Sequence, residues 1–118
     1  NCNTGIVYML ISVRNHNYTY IGMISNIAVR LQQHNSGNGH AFTTPTRLRP
    51  WALFAYITGF DGDRRKMFSI ERRWKTRRQE ERERGISCPK QIARLGNGLI
   101  ESNQSNTSFA YKHYQKDW

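Results

Sequence analysis

The chain has 118 residues, 37% of them hydrophobic, and carries 18 Lys and Arg against 8 Asp and Glu, a formal net charge of +10. That length suits one domain able to bury roughly two thirds of its unfolded surface, and no apolar run approaches the roughly 20 residues that a membrane span needs. The charge predicts a polyanionic partner. No apolar face flanks the basic residues as an interfacial helix would require, so nucleic acid is expected rather than a membrane. Cys2 and Cys88 fit no zinc-finger spacing and read as free thiols of a reducing compartment. The sequons at Asn17, Asn103 and Asn106 would matter only in a secreted chain, and no signal peptide opens this one. Its first residue is not Met, so a piece of a longer, intracellular protein is expected.

The segment IVYMLISV at 6–13 is β-branched and aromatic-rich, and the turn-formers Asn15, His16 and Asn17 separate it from a return strand, YTYIG, at 18–22. Strand parity puts Val7, Met9, Ile11 and Val13 on one face and Tyr8 and Leu10 on the other. In the return strand Ile21 takes the aliphatic face, which should be the core face, and Tyr18 and Tyr20 take the opposite one. Tyr8 and Tyr20 are therefore expected to face the same way. Ser25 or Asn26 can cap a helix that runs to about His34 and stops at Asn35-Ser36-Gly37. On it Ile27 and Leu31 make an apolar stripe, while Arg30 and His34, four apart, share another face.

A loop over 35–50 leads to a third, strongly hydrophobic strand, WALFAYITGF, at 51–60. A long helix is predicted from Asp63 to Arg84, with Gly85 as its stop and Met67, Ile70 and Trp74 as its apolar stripe. Ten of the basic residues lie between Arg64 and Arg84, against four acids. Pro89 opens a third helix carrying Ile92, Leu95 and Leu99, weakened by Gly96 and Gly98. A domain over 1–102 and a tail over 103–118, with a short helix at Phe109–Tyr114, complete the reading. The order β-β-α-β-α-α predicts an α+β fold: a small, mainly antiparallel three-stranded sheet flanked by helices.

GIVY at 5–8, YIG at 20–22, Arg30 and His34 on the next helix, and Glu71 in FSIERRW stand in order and at spacing that resembles the GIY-YIG nuclease family. YIGMISNIAVRLQQHNSG, PWALFAYITGF and FSIERRW look closest to its eukaryotic branch-cutting, structure-specific endonucleases. The family writes Gly, then Ile or Val, then Tyr; here Gly5 stands one place early. Parity selects Tyr8 as the motif tyrosine, because Val7 belongs to the aliphatic face and only Tyr8 shares the face of Tyr20.

The resemblance implies metal-dependent hydrolysis of DNA phosphodiesters. Glu71 is a hard ligand for Mg2+ or Mn2+, and a single recognisable carboxylate implies one metal. Arg30 would clamp the phosphate with its planar fork of donors. Tyr8 would take a proton from the attacking water, and Tyr20 and His34 would assist. A tyrosine titrates near 10, so as a base it needs help from its surroundings. Arg47, Arg49, Arg72, Arg73, Lys75, Arg77 and Arg78 are expected on the DNA backbone, where contacts position the enzyme and carry no sequence code. Asn97 and Asn103 are alternative counterparts of a family asparagine.

A mobile-element, homing or restriction endonuclease fits the same motifs, and a non-catalytic DNA-binding module is the reading of a different class. A scaffold subunit or further domains of the parent are expected partners. The compartment would be nuclear in a eukaryote and cytoplasmic otherwise.

Overall fold

A computed structural model describes residues 5–24, 27–37, 47–101 and 107–112, with the backbone alone at 27–29 and 101. Its elements are β1 (Ile6–Ser12), β2 (Thr19–Ile24), α1 (Ile27–Ser36), β3 (Trp51–Thr58), α2 (Arg64–Glu83), α3 (Pro89–Glu101) and β4 (Ser108–Tyr111). The class is α+β, as the element order implies. The sheet, however, has four antiparallel strands in the order β2-β1-β3-β4, not three. The added strand replaces the helix expected at Phe109–Tyr114. Ser108–Tyr111 pairs with the edge of β3 at Ala55–Thr58, and Phe109 packs edge-on to Trp74. The proposed boundary at 102/103, the helix cap at Ser25 or Asn26, the Ile27 side chain, Cys2 and Asn103 lie outside the described residues.

Strand parity divides the molecule. Val7, Met9, Ile11 and Ile21 join Phe54, Ile57, Ile70, Trp74, Ile92 and Leu99 in a core under α2 and α3. Tyr8 and Leu10 join Leu48 and Trp51 on the other face, with Tyr20, Leu31, Leu53 and Tyr56 packed against them. A bulge in β3 opposite Met9/Leu10 places Phe54 and Ala55 successively on the α2/α3 side and so brings Tyr56 to the face of Tyr8.

Local chemistry sets the ends of α2. Asp63 Oδ1 accepts from the Lys66 amide, satisfying one of the free N–H groups of the first turn. Gly85 takes φ 82°, which lets its amide reach Arg82 O and the Ile86 amide reach Glu81 O, a Schellman closure. Pro89 begins α3, where its missing N–H costs nothing. Gly96, which lowers helix propensity, is required by packing: a Cβ there would lie 2.6 Å from the Trp74 indole. The indole is fully buried and donates to Ile92 O at 2.9 Å, locking α2 to α3. Among the described residues no helix is long and apolar enough to cross a membrane.

Candidate active site

The second face of the sheet holds polar groups where a core would hold aliphatic ones. Tyr8 is 1% exposed and His34 fully buried. The Tyr8 hydroxyl and His34 Nε2 are 3.2 Å apart, so strand β1 and helix α1 meet through a buried hydrogen bond. The Tyr20 ring lies against both, its centroid 4.9 Å from that of His34 and 6.3 Å from that of Tyr8. Gly22 explains how two phenols and an imidazole fit together here. A Cβ on it would come within 2.8 Å of the Tyr8 hydroxyl and 3.0 Å of the Tyr20 ring. The glycine of YIG thus leaves space for the tyrosines beside it.

Arg30, one turn before His34, donates from Nη1 to Gln33 Oε1 at 2.9 Å. Burial pushes the Tyr8 hydroxyl up to about 12, with Tyr20 adding to the rise, while the Arg30 guanidinium beside it pulls the other way. Tyr20 is raised for the same first reason, opposed by Arg30. The Glu71 carboxylate is felt at both phenols. Residues from β1, β2, α1 and α2 therefore share one electrostatic neighbourhood, although they are far apart in the chain.

Glu71 pairs with Lys75 at 3.1 Å, its side chain 12% exposed and that of Lys75 42%. Such a pair contributes only some tenths of a kcal/mol, little to oppose a divalent cation. Among the described residues no three His, Cys, Asp or Glu side chains group as metal ligands. One carboxylate with an accessible edge suits Mg2+ or Mn2+, hard cations that keep several waters, and does not suit a closed four-ligand zinc site.

Residues 4–84 match the family model described as the GIY-YIG catalytic domain. The chain belongs to the GIY-YIG family. It is an enzyme domain of the nuclease type. A 56-residue stretch is 41% identical to the structure-specific endonuclease subunit SLX1 of Podospora anserina, covering 46% of this chain and 16% of that protein.

The basic residues divide by helix face. Lys75 lies on the Glu71 side of α2, as the ion pair shows. Arg78, expected on DNA, is half-buried and donates to Thr19 O on edge strand β2 at 3.1 Å. Burial lowers its guanidinium to about 10, still protonated at neutral pH. Arg49, also expected on DNA, donates to Asn35 O at 3.3 Å near the end of α1. Arg47, Arg72, Arg73 and Arg77 are exposed.

Asn35 reads from sequence as a helix stop, yet it has a second task in this GIY-YIG domain. Its Oδ1 accepts from the Trp51 amide at 2.6 Å and its Nδ2 donates to Trp51 O at 3.1 Å. The side-chain amide thus acts as a short strand partner for the start of β3 and holds α1, with His34 and Arg30, over the sheet. Tyr56, directly opposite Tyr8 in the ladder, is another site-face residue that sequence parity misses because of the bulge. Asn97 is half-buried on α3.

Proposed function

We propose that this domain is a metal-dependent endonuclease hydrolysing DNA phosphodiester bonds, with Glu71 as the ligand of one Mg2+ (or Mn2+). The observation that carries the reading is the convergence of Tyr8, Tyr20, His34 and Arg30 on the α1 side of the sheet, with Glu71 of α2 close enough for its charge to be felt at both phenols. When bound, the cation supplies Lewis-acid stabilisation of phosphate charge. Arg30 binds the scissile phosphate through two parallel N–H donors.

The raised hydroxyl of Tyr8 decides how it serves as a base. At a pKa of about 12, roughly one molecule in 10⁵ carries a phenolate at pH 7. On this ground we favour a relay over a standing phenolate. As water oxygen bonds to phosphorus, its proton passes to Tyr8 Oη. The Tyr8 proton moves on to His34 Nε2, 3.2 Å away, and the bond from phosphorus to the leaving oxygen breaks, that oxygen taking a proton from solvent as His34 returns the relayed one to solvent. This requires the His34 tautomer protonated on Nδ1, so that Nε2 accepts. Tyr20 orients the water or phosphate against these groups.

The name of the Podospora relative, a structure-specific endonuclease subunit, favours branched DNA as substrate and a scaffold protein or further domains as partners. A nuclear compartment and a repair or recombination role accord with that substrate and belong to this proposal, with the cytoplasm and a mobile-element or restriction role as the alternatives. Arg47, Arg72, Arg73, Lys75 and Arg77 are the backbone contacts in this reading. Arg49 and Arg78 support the site by holding α1 and the β2 edge.

The test mixes the 118-residue chain with labelled branched, nicked and linear duplexes in Mg2+. Glu71→Ala and Arg30→Ala should each lower the cleavage rate by about 10²- to 10³-fold, the loss typical of removing one charge-stabilising group. Metal-independent binding without cleavage by the parent in any divalent cation would instead identify a DNA-binding module, and equal cutting by both variants would overturn the assignment.

A further inference from the structure

Helix α2 has two different charged sides. Glu71, Lys75 and Arg78 lie on the flank turned to β2 and the phenols. At about 100° per residue, Arg65, Phe68, Arg72, Arg73, Thr76 and Arg77 fall on the outer arc, away from the core stripe of Met67, Ile70 and Trp74. These outer residues line a shallow surface concavity of about 360 Å³. Phe68 is 50% exposed within it, and the Arg72 guanidinium carbon lies 5.8 Å from its ring centroid. The acids Glu80, Glu81 and Glu83 follow Arg77 towards the end of the helix and bound the basic stretch.

A half-exposed aromatic ring with Arg72 over it, in a concavity that three further arginines line, is more than a purely solvating face needs. Arginines that track a phosphate backbone around a ring on which a base can stack are the recognition chemistry of single strands, since a paired base offers no free face. The helix, roughly 10 Å across, also separates this face from the phenol cluster, so one straight duplex cannot lie on both. We propose that the outer face of α2 binds an unpaired nucleic-acid strand, with a base stacked on Phe68 and phosphates on Arg65, Arg72, Arg73 and Arg77. In the endonuclease reading, on which its biological use rests, this strand is the single-stranded arm of a branched substrate whose duplex lies at Glu71.

Binding of a fluorescein-labelled single strand of about 20 nucleotides, long enough to exceed one such site, and of a blunt duplex is measured by anisotropy on the 118-residue chain in EDTA. Phe68→Ala should raise the Kd for the single strand about tenfold, within the range for loss of one base stack, and leave the duplex within about twofold. Phe68→Trp should keep single-strand affinity, whereas Phe68→Leu should lose it, separating stacking from simple apolar burial. Replacing Arg65, Arg72, Arg73 and Arg77 by Ser should make the single-strand salt slope shallower by about 0.7 for each phosphate no longer neutralised. An unchanged single-strand Kd in Phe68→Ala, or an equal loss for strand and duplex, overturns the proposal. Because this assay contains no metal, a parent that binds as expected but cuts nothing defeats only the endonuclease reading. A parent that cuts while Phe68→Ala binds normally defeats only this surface.

Discussion

The two faces of the sheet are both closed at their centres but are filled in different ways. Under α2 and α3 lie Val7, Met9, Ile11, Ile21 and Ile57, closed by a fully buried Trp74 whose one polar atom is satisfied by Ile92 O. Under α1 lie Tyr8 and His34, equally shielded, with Tyr20 against them. Burying a hydroxyl and an imidazole costs free energy that the first face avoids, and their mutual hydrogen bond offsets only part of it. In the proposed endonuclease, placing phenols and an imidazole on the second face exchanges stability for chemistry. The same division of the sheet accounts for the two glycines that matter most. Gly96 makes room for packing on one side of the molecule, and Gly22 makes room for the phenol cluster on the other.

The largest expected effect lies on the packing face. Trp74→Ala removes the buried indole and its bond to Ile92 O, and should lower unfolding free energy by about 3–5 kcal/mol, read from urea denaturation. A loss below about 1 kcal/mol would show that α2 and α3 are not held by this indole. Next is Gly22→Ala. Its methyl must displace the Tyr8 hydroxyl or the Tyr20 ring, so the cleavage rate should fall by roughly 10²-fold, as misplacement by about an ångström does, with a loss of stability of about 1–3 kcal/mol from overpacking, smaller than that of Trp74→Ala. Normal cleavage by this variant would mean that the spacing of the phenols is not critical.

The smallest effect appears only in alkali. Tyr8 titrates at about 12 in the fold and near 10 when unfolded, so the fold retains the proton that the unfolded chain gives up. Stability is therefore unaffected by this group below about pH 10 and declines as pH rises from there towards about 12. Tyr8→Phe should flatten that decline, even though it loses the His34 hydrogen bond at neutral pH. Urea midpoints at about pH 8 and about pH 11, on either side of the unfolded phenol's titration, measure the difference. An equally steep decline in the variant would place the burdened phenol elsewhere, Tyr20 being the next candidate.

Much of this is legible in residues taken one segment at a time. The Asp63 cap, the Gly85 stop, Pro89 at the start of α3 and the Met67-Ile70-Trp74 stripe are local signals, each depending on neighbours within a turn or two. Period-two alternation puts Tyr8 and Tyr20 on one face and so prefers Tyr8 to Val7 as the motif tyrosine. The bulge at Phe54 is not legible, because the extra residue is defined only against its partner strand. Nor is β4, a short segment whose strand character comes from the open edge of β3.

By itself, then, the sequence determined the helix limits, the hydrophobic faces and the family, since propensity and periodicity act within short stretches of chain. Tertiary structure alone decided what the distant polar groups do. It turned Arg78 to the Thr19 carbonyl, 59 positions away, and Asn35 to the backbone of Trp51. It also divided one basic helix into a flank facing the phenol cluster and an outer face carrying Phe68. A donor's partner is whichever acceptor the closed fold brings within about 3 Å, and no local signal carries that distance.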